Sequence, residues 1–254
     1  MIRRVRAIMK IMVRDVFFET IRGKKIFSII SEPDKKANKL VIMSHGFRGT
    51  SVGPASSFVN FTKILVEKGF STLRFDQPNC GNSEGDFINV SFREWVNTIV
   101  CFANKYIGDG YKVALLGQSM GATASLIAAT RAELRKKIPC VLLWVPDPES
   151  DNNHTDDKAI SEEAGERFHM SFWNEARDMN FFESLDDYQG KIHLVYGKKD
   201  KYVSEDLRKK TINKILEKKQ KVMILNGEDH SPWRYDTSQK VFKEEAVILS
   251  KYLV

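Results

Sequence analysis

From Leu40 onward, short apolar runs alternate with segments of helical spacing, and this alternation constrains the fold more than any other feature. Each apolar run predicts a strand that is buried on both faces of a sheet. The runs read LVIMSHGF, STLRFD, KVALLGQS, CVLLWVPD, KIHLVYGKKD and KVMILNGEDH. Because helix-patterned segments separate them, the sequence predicts an α/β fold, with a mostly parallel central sheet and helices on both faces.

The N-terminal part of the chain has a different pattern. The stretch VRDVFFETIRGKKIFSII predicts a β-hairpin with Gly23 in its turn. The first eleven residues are rich in basic side chains that interrupt every apolar stretch, so no signal peptide is predicted. We interpret residues 1–11 as either an upstream start or a frayed arm. The 254 residues as a whole fit a single domain.

Composition excludes several classes of function. The net charge is +7, but the basic residues are scattered and form no stripe with aromatic side chains, so nucleic-acid binding is disfavoured. No apolar run is long enough for a membrane span.

Three cysteines without a CxxC pair argue against a disulfide framework and favour the cytoplasm. We expect no metal, because no His/Cys/Asp cluster is present, and no other cofactor, because IGDGYK lacks the spacing of a phosphate loop.

One long segment, from about residue 146 to 190, interrupts the strand–helix rhythm. It carries 13 acidic and three basic residues together with several aromatic side chains. We interpret it as a lid over the strand ends, in which Phe168, Phe172 and Trp173 contact substrate. The alternative is a solvated surface elaboration whose aromatic side chains anchor it to the body of the domain.

The segment Gly117-Gln118-Ser119-Met120-Gly121 matches the pattern G-x-S-x-G. In this pattern a nucleophilic serine lies on a sharp turn between a strand and a helix, and the surrounding sequence predicts that context. Small residues after Gly121 would let the helix pack closely on the sheet. The alternative is a serine that only caps a helix. We favour Ser119 as a nucleophile.

A serine nucleophile needs a base and an acid that orients the base. In the chain order expected for this geometry, Asp200 and His230 each follow a predicted strand, where distant residues can meet. Asp147 also follows a strand and is a rival for the acid, whereas Asp229 is expected to point elsewhere. The other histidines of the second half, at positions 154, 169 and 193, are expected in the lid or the core.

An oxyanion loop is expected after an early strand, and MSHGFRG has this position. The backbone N–H groups of Phe47 and Met120 are the predicted oxyanion donors. His45 is expected to hold the loop rather than to act as a base.

Together these motifs resemble the α/β-hydrolase fold superfamily. HGFRG, FDQPNCGNSEG, GQSMG, GKKD and GEDH occur in the order and at the spacing of that family. The short HGF loop and compact insert are similar to those of the cinnamoyl (feruloyl) esterases and small carboxylesterases. The resemblance implies Ser119 as nucleophile, His230 as base, Asp200 as acid, and Phe47 and Met120 as oxyanion donors. The sequence departs from the family pattern at Asn79, Cys80 and Gln118.

The expected function is therefore serine carboxylic-ester hydrolysis through an acyl-enzyme, acting on small or aromatic esters. Monoacylglycerol lipases, thioesterases, acyltransferases and small serine peptidases use the same catalytic triad and oxyanion donors, so these activities remain alternatives. A non-enzymatic alternative is a catalytically silent homologue that binds ligands in the retained pocket. The expected partner is a small-molecule ester, with no nucleic acid and no stable membrane association, and a homodimer is left open.

Overall fold

A computed structural model describes residues 12–35, 37–148 and 155–254. The interpretation of residues 1–11 as an upstream start or an arm lies outside the described residues, and so does that of His154. The strands within the described ranges are β1 (Met12–Ile21), β2 (Lys24–Pro33), β3 (Lys39–Ser44), β4 (Ser71–Phe75), β5 (Lys112–Gln118), β6 (Cys140–Trp144), β7 (Ile160–Glu163), β8 (Glu166–His169), β9 (Lys191–Gly197) and β10 (Lys221–Leu225). The α-helices are α1 (Ser57–Glu67), α2 (Phe92–Gly108), α3 (Met120–Thr130), α4 (Ser171–Asp178), α5 (Phe181–Asp187), α6 (Glu205–Glu217) and α7 (Tyr235–Tyr252).

Eight strands form one sheet in the order β1-β2-β4-β3-β5-β6-β9-β10. The six strands from β4 to β10 pair in parallel, whereas β1 pairs antiparallel with β2 and β2 antiparallel with β4. This arrangement confirms the predicted parallel sheet and the predicted hairpin. The hairpin turns at Arg22 and Gly23, both of which have left-handed backbone angles.

Two apolar cores lie on opposite faces of the sheet, because successive side chains along a strand point to opposite sides. On β3, Val41 and Met43 belong to the core under α1 and α7, and Ile42 belongs to the core under α2 and α3. The prediction of helices on both faces is therefore confirmed. Each fully buried aliphatic or aromatic side chain in these cores stabilises the fold by about 1.5–3 kcal/mol relative to an exposed one.

The helix boundaries follow local chemistry with two exceptions. Ser91 and Glu94 have the spacing of a capping box, which predicts a helix start there. Helix α2 does begin there, with the Ser91 hydroxyl accepting a hydrogen bond from the Glu94 N–H at 3.2 Å. The stretch MGATASLIAATRAEL predicts a helix to residue 134, but α3 ends at Thr130, where Arg131 adopts extended backbone angles. The stretch QKVFKEEAVILSKYL predicts a last helix around residues 239–253, and α7 begins earlier, at Tyr235.

The insert between β6 and β9 forms its own small structure. Strands β7 and β8 make an antiparallel hairpin, and α4 and α5 follow it. The Phe172 ring lies 5.6 Å from Phe92 and 5.1 Å from Trp95, both on α2, so the insert is anchored to the body of the domain by aromatic packing. Among the helices in the described ranges, none is long and apolar enough to cross a membrane.

Candidate active site

Ser119 lies on a strained turn between β5 and α3. Its backbone angles are φ 54° and ψ −127°, a region that costs a non-glycine residue about 1–3 kcal/mol. The Ser119 N–H donates to the Trp144 carbonyl at 2.8 Å, and the Ser119 carbonyl accepts from the Ala122 N–H at 2.8 Å. These bonds to β6 and α3 hold the strained conformation in place.

The two glycines of the motif are required by close backbone approach. A Cβ atom on Gly117 would lie 2.2 Å from the Gly121 carbonyl oxygen, inside van der Waals contact. A Cβ atom on Gly121 would lie 2.3 Å from the carbonyl oxygens of Ser44 and His45. Gly117 thus allows the chain to turn sharply at Ser119, and Gly121 allows α3 to pack closely against the loop after β3. A side chain at either position would collide with the backbone.

His230 and Asp200 form a hydrogen-bonded pair just beyond the carboxyl ends of β10 and β9. The His230 Nδ1 atom lies 2.8 Å from Asp200 Oδ2, and the carboxylate side chain has no exposed surface. The other oxygen, Oδ1, accepts from the backbone N–H groups of Tyr202 at 2.9 Å and Val203 at 3.1 Å. All three contacts favour an ionised carboxylate that orients the imidazole.

The pKa of Asp200 reflects this arrangement. Burial by itself would raise it, but the hydrogen bond and the charge of His230, together with the Val203 and Tyr202 N–H groups, lower the pKa below its ordinary value. The carboxylate therefore stays ionised at neutral pH. An ionised acceptor at Nδ1 fixes the tautomer of the ring and leaves Nε2 as the nitrogen that can exchange protons.

The neighbouring carboxylates have other contacts. Asp229 Oδ1 accepts from the backbone N–H groups of His230 at 2.7 Å and Lys201 at 3.1 Å, so it ties the two loops together. Asp147 lies on the wall of the same cavity as His230, and its carbonyl accepts from the Thr123 hydroxyl at 2.7 Å. It is Asp200, not Asp147, that contacts Nδ1 of His230.

A cavity of about 380 Å³ brings the predicted groups together. Ser119, Met120, His230 and Phe47 all line it. Met120 is the first residue of α3, where backbone N–H groups have no partner within the helix. The structure therefore gathers the five residues that sequence analysis singled out as the reacting groups, with Asp200 reached through His230.

The aromatic residues of the insert divide into two groups. Trp173 lines the cavity. Phe168 and Phe172 are only 2% and 0% exposed and pack on Phe47, each with ring centroids 4.8 Å away. The structure therefore places Phe168 and Phe172 behind the cavity wall, where they support the loop that carries Phe47, rather than in contact with the cavity.

His45 holds the loop after β3. Its Nε2 accepts from the Gln77 N–H at 2.9 Å, and its Nδ1 lies 2.8 Å from the Gly46 carbonyl oxygen. Burial lowers the pKa of His45, so the ring is neutral and donates through Nδ1. The side chain is fully buried and does not line the cavity, which leaves it a supporting position.

Sequence analysis did not find the role of Gln118. Its side-chain oxygen accepts from the Gly46 N–H at 3.1 Å, and its amide nitrogen donates to the Ser231 hydroxyl at 2.9 Å. Gln118 thus joins the loop after β3 to the residue after His230. The only signal in the sequence was a polar residue at the end of a buried strand, next to Ser119.

Two further residues at the cavity mouth also escaped sequence analysis. The exposed ring of Tyr202 packs against the His230 ring at a tilt of 51°, with the ring centroids 5.1 Å apart. Arg48, on the loop after β3, forms an ion pair of 2.6 Å with Glu163 on β7, and both residues line the cavity. Neither contact has a local motif, because each joins segments that are distant along the chain.

In the part of the chain that the structure describes, no group of three or more His, Cys, Asp or Glu side chains is arranged to hold a metal ion.

Comparison with known families and structures agrees with the fold described above. The family described as the alpha/beta hydrolase fold matches residues 39–162, which include the Ser119 turn. The sheet order, the turn at Ser119 and this match decide the fold. The chain has the α/β-hydrolase fold. Because the match ends before β9, it does not include Asp200 or His230. No curated protein sequence matches the chain.

Solved structures from other organisms share this α/β-hydrolase fold. Est1E from Butyrivibrio proteoclasticus with bound ferulic acid superposes with a TM-score of 0.81 at 19% identity, covering 94% of this chain and 99% of that one. An esterase domain from Rhodothermus marinus gives 0.71 at 17% identity, covering 96% and 99%. A dienelactone hydrolase from Anabaena variabilis gives 0.66 at 14% identity, covering 97% and 100%. Since proteins with different activities fit comparably, fold similarity alone does not select the substrate.

Proposed function

We propose that this protein is a serine carboxylic-ester hydrolase that works through a Ser119–His230–Asp200 triad. The observation that carries the proposal is the 2.8 Å contact between His230 Nδ1 and the buried Asp200 carboxylate, beside the cavity that Ser119 also lines. A buried, ionised acceptor at Nδ1 makes Nε2 a general base for an alcohol. The strained turn presents that alcohol at the carboxyl edge of the sheet, where α/β sheets bind ligands.

The proposed reaction has two steps. Ser119 Oγ attacks the ester carbonyl carbon while His230 Nε2 takes its proton, and the oxyanion is stabilised by the backbone N–H groups of Phe47 and Met120. The carbon–oxygen bond then breaks, His230 returns the proton to the leaving alcohol, and an acyl-enzyme remains. Water, activated by the same imidazole, hydrolyses the acyl-enzyme and restores Ser119.

The proposed substrates are small or aromatic esters of the cinnamoyl type. Trp173 and Phe47 supply aromatic surface beside Ser119, and Tyr202 supplies it beside His230. The structural similarity to Est1E with bound ferulic acid supports an aromatic acid on the acyl side. The alternatives within this chemistry are monoacylglycerol lipase, thioesterase and small peptidase activity, and the alternative outside it is a silent ligand-binding homologue.

The test is a substrate screen with purified wild-type protein. We expect p-nitrophenyl esters of short acids and methyl ferulate to be hydrolysed, with the rate falling as the acyl chain lengthens. A long-chain optimum would instead indicate a lipase. Selective turnover of acyl thioesters or of peptides would indicate the other two enzymes.

Two serine variants test the mechanism. Ser119→Ala removes the nucleophile, so hydrolysis and labelling by a fluorophosphonate should both disappear. The matched control is Ser125→Ala on α3, whose buried hydroxyl has no hydrogen-bond partner among the described residues and lies outside the cavity. This control should keep both signals. Activity that survives in Ser119→Ala contradicts the mechanism, and a wild type that fails to label favours the silent homologue.

A further inference from the structure

A second cavity, of about 200 Å³, adjoins the candidate active site. Its walls are mainly apolar rings: Trp144 at the end of β6, Trp233 in the loop after His230, and Phe242 on α7. Pro54 and Ser231 line both cavities, so the two share a boundary. For comparison, a dry cavity of about 150 Å³ in another protein binds benzene, so this one has room for a single ring.

The aromatic walls of this second cavity are bonded to the backbone of the reacting residues. The Trp144 carbonyl accepts from the Ser119 N–H at 2.8 Å, and the Trp233 indole N–H donates to the His230 carbonyl at 3.0 Å. The two indole rings also pack on each other, with centroids 5.5 Å apart. The cavity is therefore preformed and held at a fixed distance from both catalytic groups, as a specificity pocket requires.

The position of the cavity decides which half of an ester it faces. His230 protonates the leaving oxygen, so the alcohol half of the ester must lie beside the imidazole. Ser231, the residue next to His230, lines both cavities, whereas the insert residue Trp173 lines only the first cavity. The alcohol half thus lies on the side of the second cavity, and the acid half lies toward the insert.

We propose that the second cavity binds the alcohol half of the substrate as an apolar ring of about the size of a benzyl group. This proposal rests on the proposed esterase function and adds to it the identity of the leaving group. The cavity lining also includes polar side chains, among them Asn60 on α1 and Gln239 on α7. Their amide groups can hydrogen-bond to a polar substituent on the ring.

Two isomeric esters distinguish binding of a ring on the alcohol half from binding of a ring on the acid half. Benzyl acetate carries its ring on the alcohol, and methyl phenylacetate carries the same ring on the acid. Gln239→Trp places an indole in the second cavity, and Lys240→Trp places the same group on the exposed neighbouring position of α7 as a matched control. We expect kcat/KM for benzyl acetate to fall about tenfold or more in Gln239→Trp, with methyl phenylacetate little changed and Lys240→Trp like wild type.

An equal loss on both esters, or a larger loss on methyl phenylacetate, overturns the proposal. So does an unchanged rate on both. Because Gln239→Trp could misfold, Asn60→Trp fills the cavity from α1 on the opposite side and should give the same selectivity. Near-ultraviolet circular dichroism checks the folding of each variant.

A binding measurement keeps this proposal separate from the esterase proposal. Saturation-transfer NMR should detect benzyl alcohol on wild type and on Ser119→Ala, and the signal should be lost in Gln239→Trp. Binding that persists in Gln239→Trp overturns the pocket assignment, even if the protein is an active esterase. A third outcome is also informative: the wild type hydrolyses no ester and binds benzyl alcohol, whereas Gln239→Trp does not bind it. The esterase proposal then fails and the pocket assignment stands.

Discussion

Two histidine–carboxylate pairs in this molecule have nearly the same geometry and different surroundings. His230 Nδ1 lies 2.8 Å from Asp200, and His193 Nδ1 lies 2.9 Å from Glu245. The first pair lies beyond the strand ends and borders the cavity that Ser119 lines. The second pair joins β9 to α7 inside the domain, where both side chains are 0% exposed and Trp144 donates to both Glu245 oxygens.

A histidine–carboxylate pair is therefore not by itself a catalytic unit. Both imidazoles are oriented through Nδ1, so orientation does not distinguish them. What distinguishes them is a nearby hydroxyl and an open route for substrate, which the His230 pair has and the sealed His193 pair does not. The carboxylates differ as well, because burial raises the pKa of Glu245 whereas the contacts of Asp200 lower its pKa.

The largest contrast is expected between His230→Ala and His193→Ala. Loss of the proposed general base should lower kcat by about a millionfold. It should destabilise the fold less than loss of His193, because His230 borders an open cavity and Asp200 keeps its two backbone N–H donors. Loss of His193 should leave the activity of the folded protein unchanged but lower the free energy of unfolding by about 3–5 kcal/mol, because a buried carboxylate loses its partner. Steady-state kinetics and urea unfolding measure the two effects. A catalytic defect in folded His193→Ala would break the comparison.

The next contrast is between the two aspartates that border the site. Asp200→Asn should lower kcat by about ten-thousandfold, because the amide no longer selects the productive tautomer of His230. Asp147→Asn should remain active, since His230 Nδ1 contacts Asp200. Turnover of one p-nitrophenyl ester by both variants decides this. If Asp147→Asn were the more impaired variant, the assignment of the acid would be reversed.

A smaller effect is expected at Gln118, the side chain that links the loop after β3 to the loop of His230. Gln118→Ala frees the Gly46 N–H and the Ser231 hydroxyl from their shared partner, so both loops can shift. Misplacement of this kind can cost up to about a hundredfold in kcat, with little change in KM. The control is Gln189→Ala at an exposed position. An unchanged kcat in Gln118→Ala would show that the link does not position the site.

The smallest expected effect concerns the pH dependence of the free energy of unfolding, to which Asp200 and Glu245 should contribute with opposite signs. The folded pKa of Glu245 is raised, so its contribution to stability is complete below its ordinary value of 4.5 and is lost as pH rises through the folded pKa. The folded pKa of Asp200 is lowered, so its contribution is present above its ordinary value of 3.8 and is lost as pH falls through the folded pKa.

Urea unfolding at a series of pH values tests these opposite signs. The stability of wild type relative to Glu245→Gln should decrease as pH rises above about 4.5. Its stability relative to Asp200→Asn should decrease as pH falls below about 3.8. If both stability differences, against Glu245→Gln and against Asp200→Asn, changed in the same direction with pH, the opposite pKa shifts assigned to Glu245 and Asp200 would be contradicted.

Much of the fold was predictable because its signals are local. Each parallel strand is a short apolar run, and the turn at Ser119 is specified by two glycines whose Cβ atoms would collide with neighbouring backbone. Helix ends were less predictable. The start of α7 at Tyr235 has no side-chain cap in the structure, so the sequence held no capping signal for it. Helix α3 ends where Arg131 leaves helical backbone angles, and no glycine or proline marks that position.

The site was predictable only in part. The position of His230 and Asp200 after consecutive strands suggested that they meet, because parallel strands bring their carboxyl ends to one edge. Gln118, Tyr202 and the Arg48–Glu163 ion pair could not be found, since each contact joins segments far apart in the chain. The same holds for the apolar second cavity, whose walls come from β6, the loop after His230 and α7.

Local residue patterns specify the order of the parallel strands and the sharp turn that presents Ser119, because periodicity and steric contact act over a few residues. Long-range packing is what places one of two similar histidine–carboxylate pairs beside a cavity and seals the other in the core. It also decided that Phe168 and Phe172 support the cavity wall from behind. Burial and access depend on how distant segments pack, and no local pattern of residues carries that information.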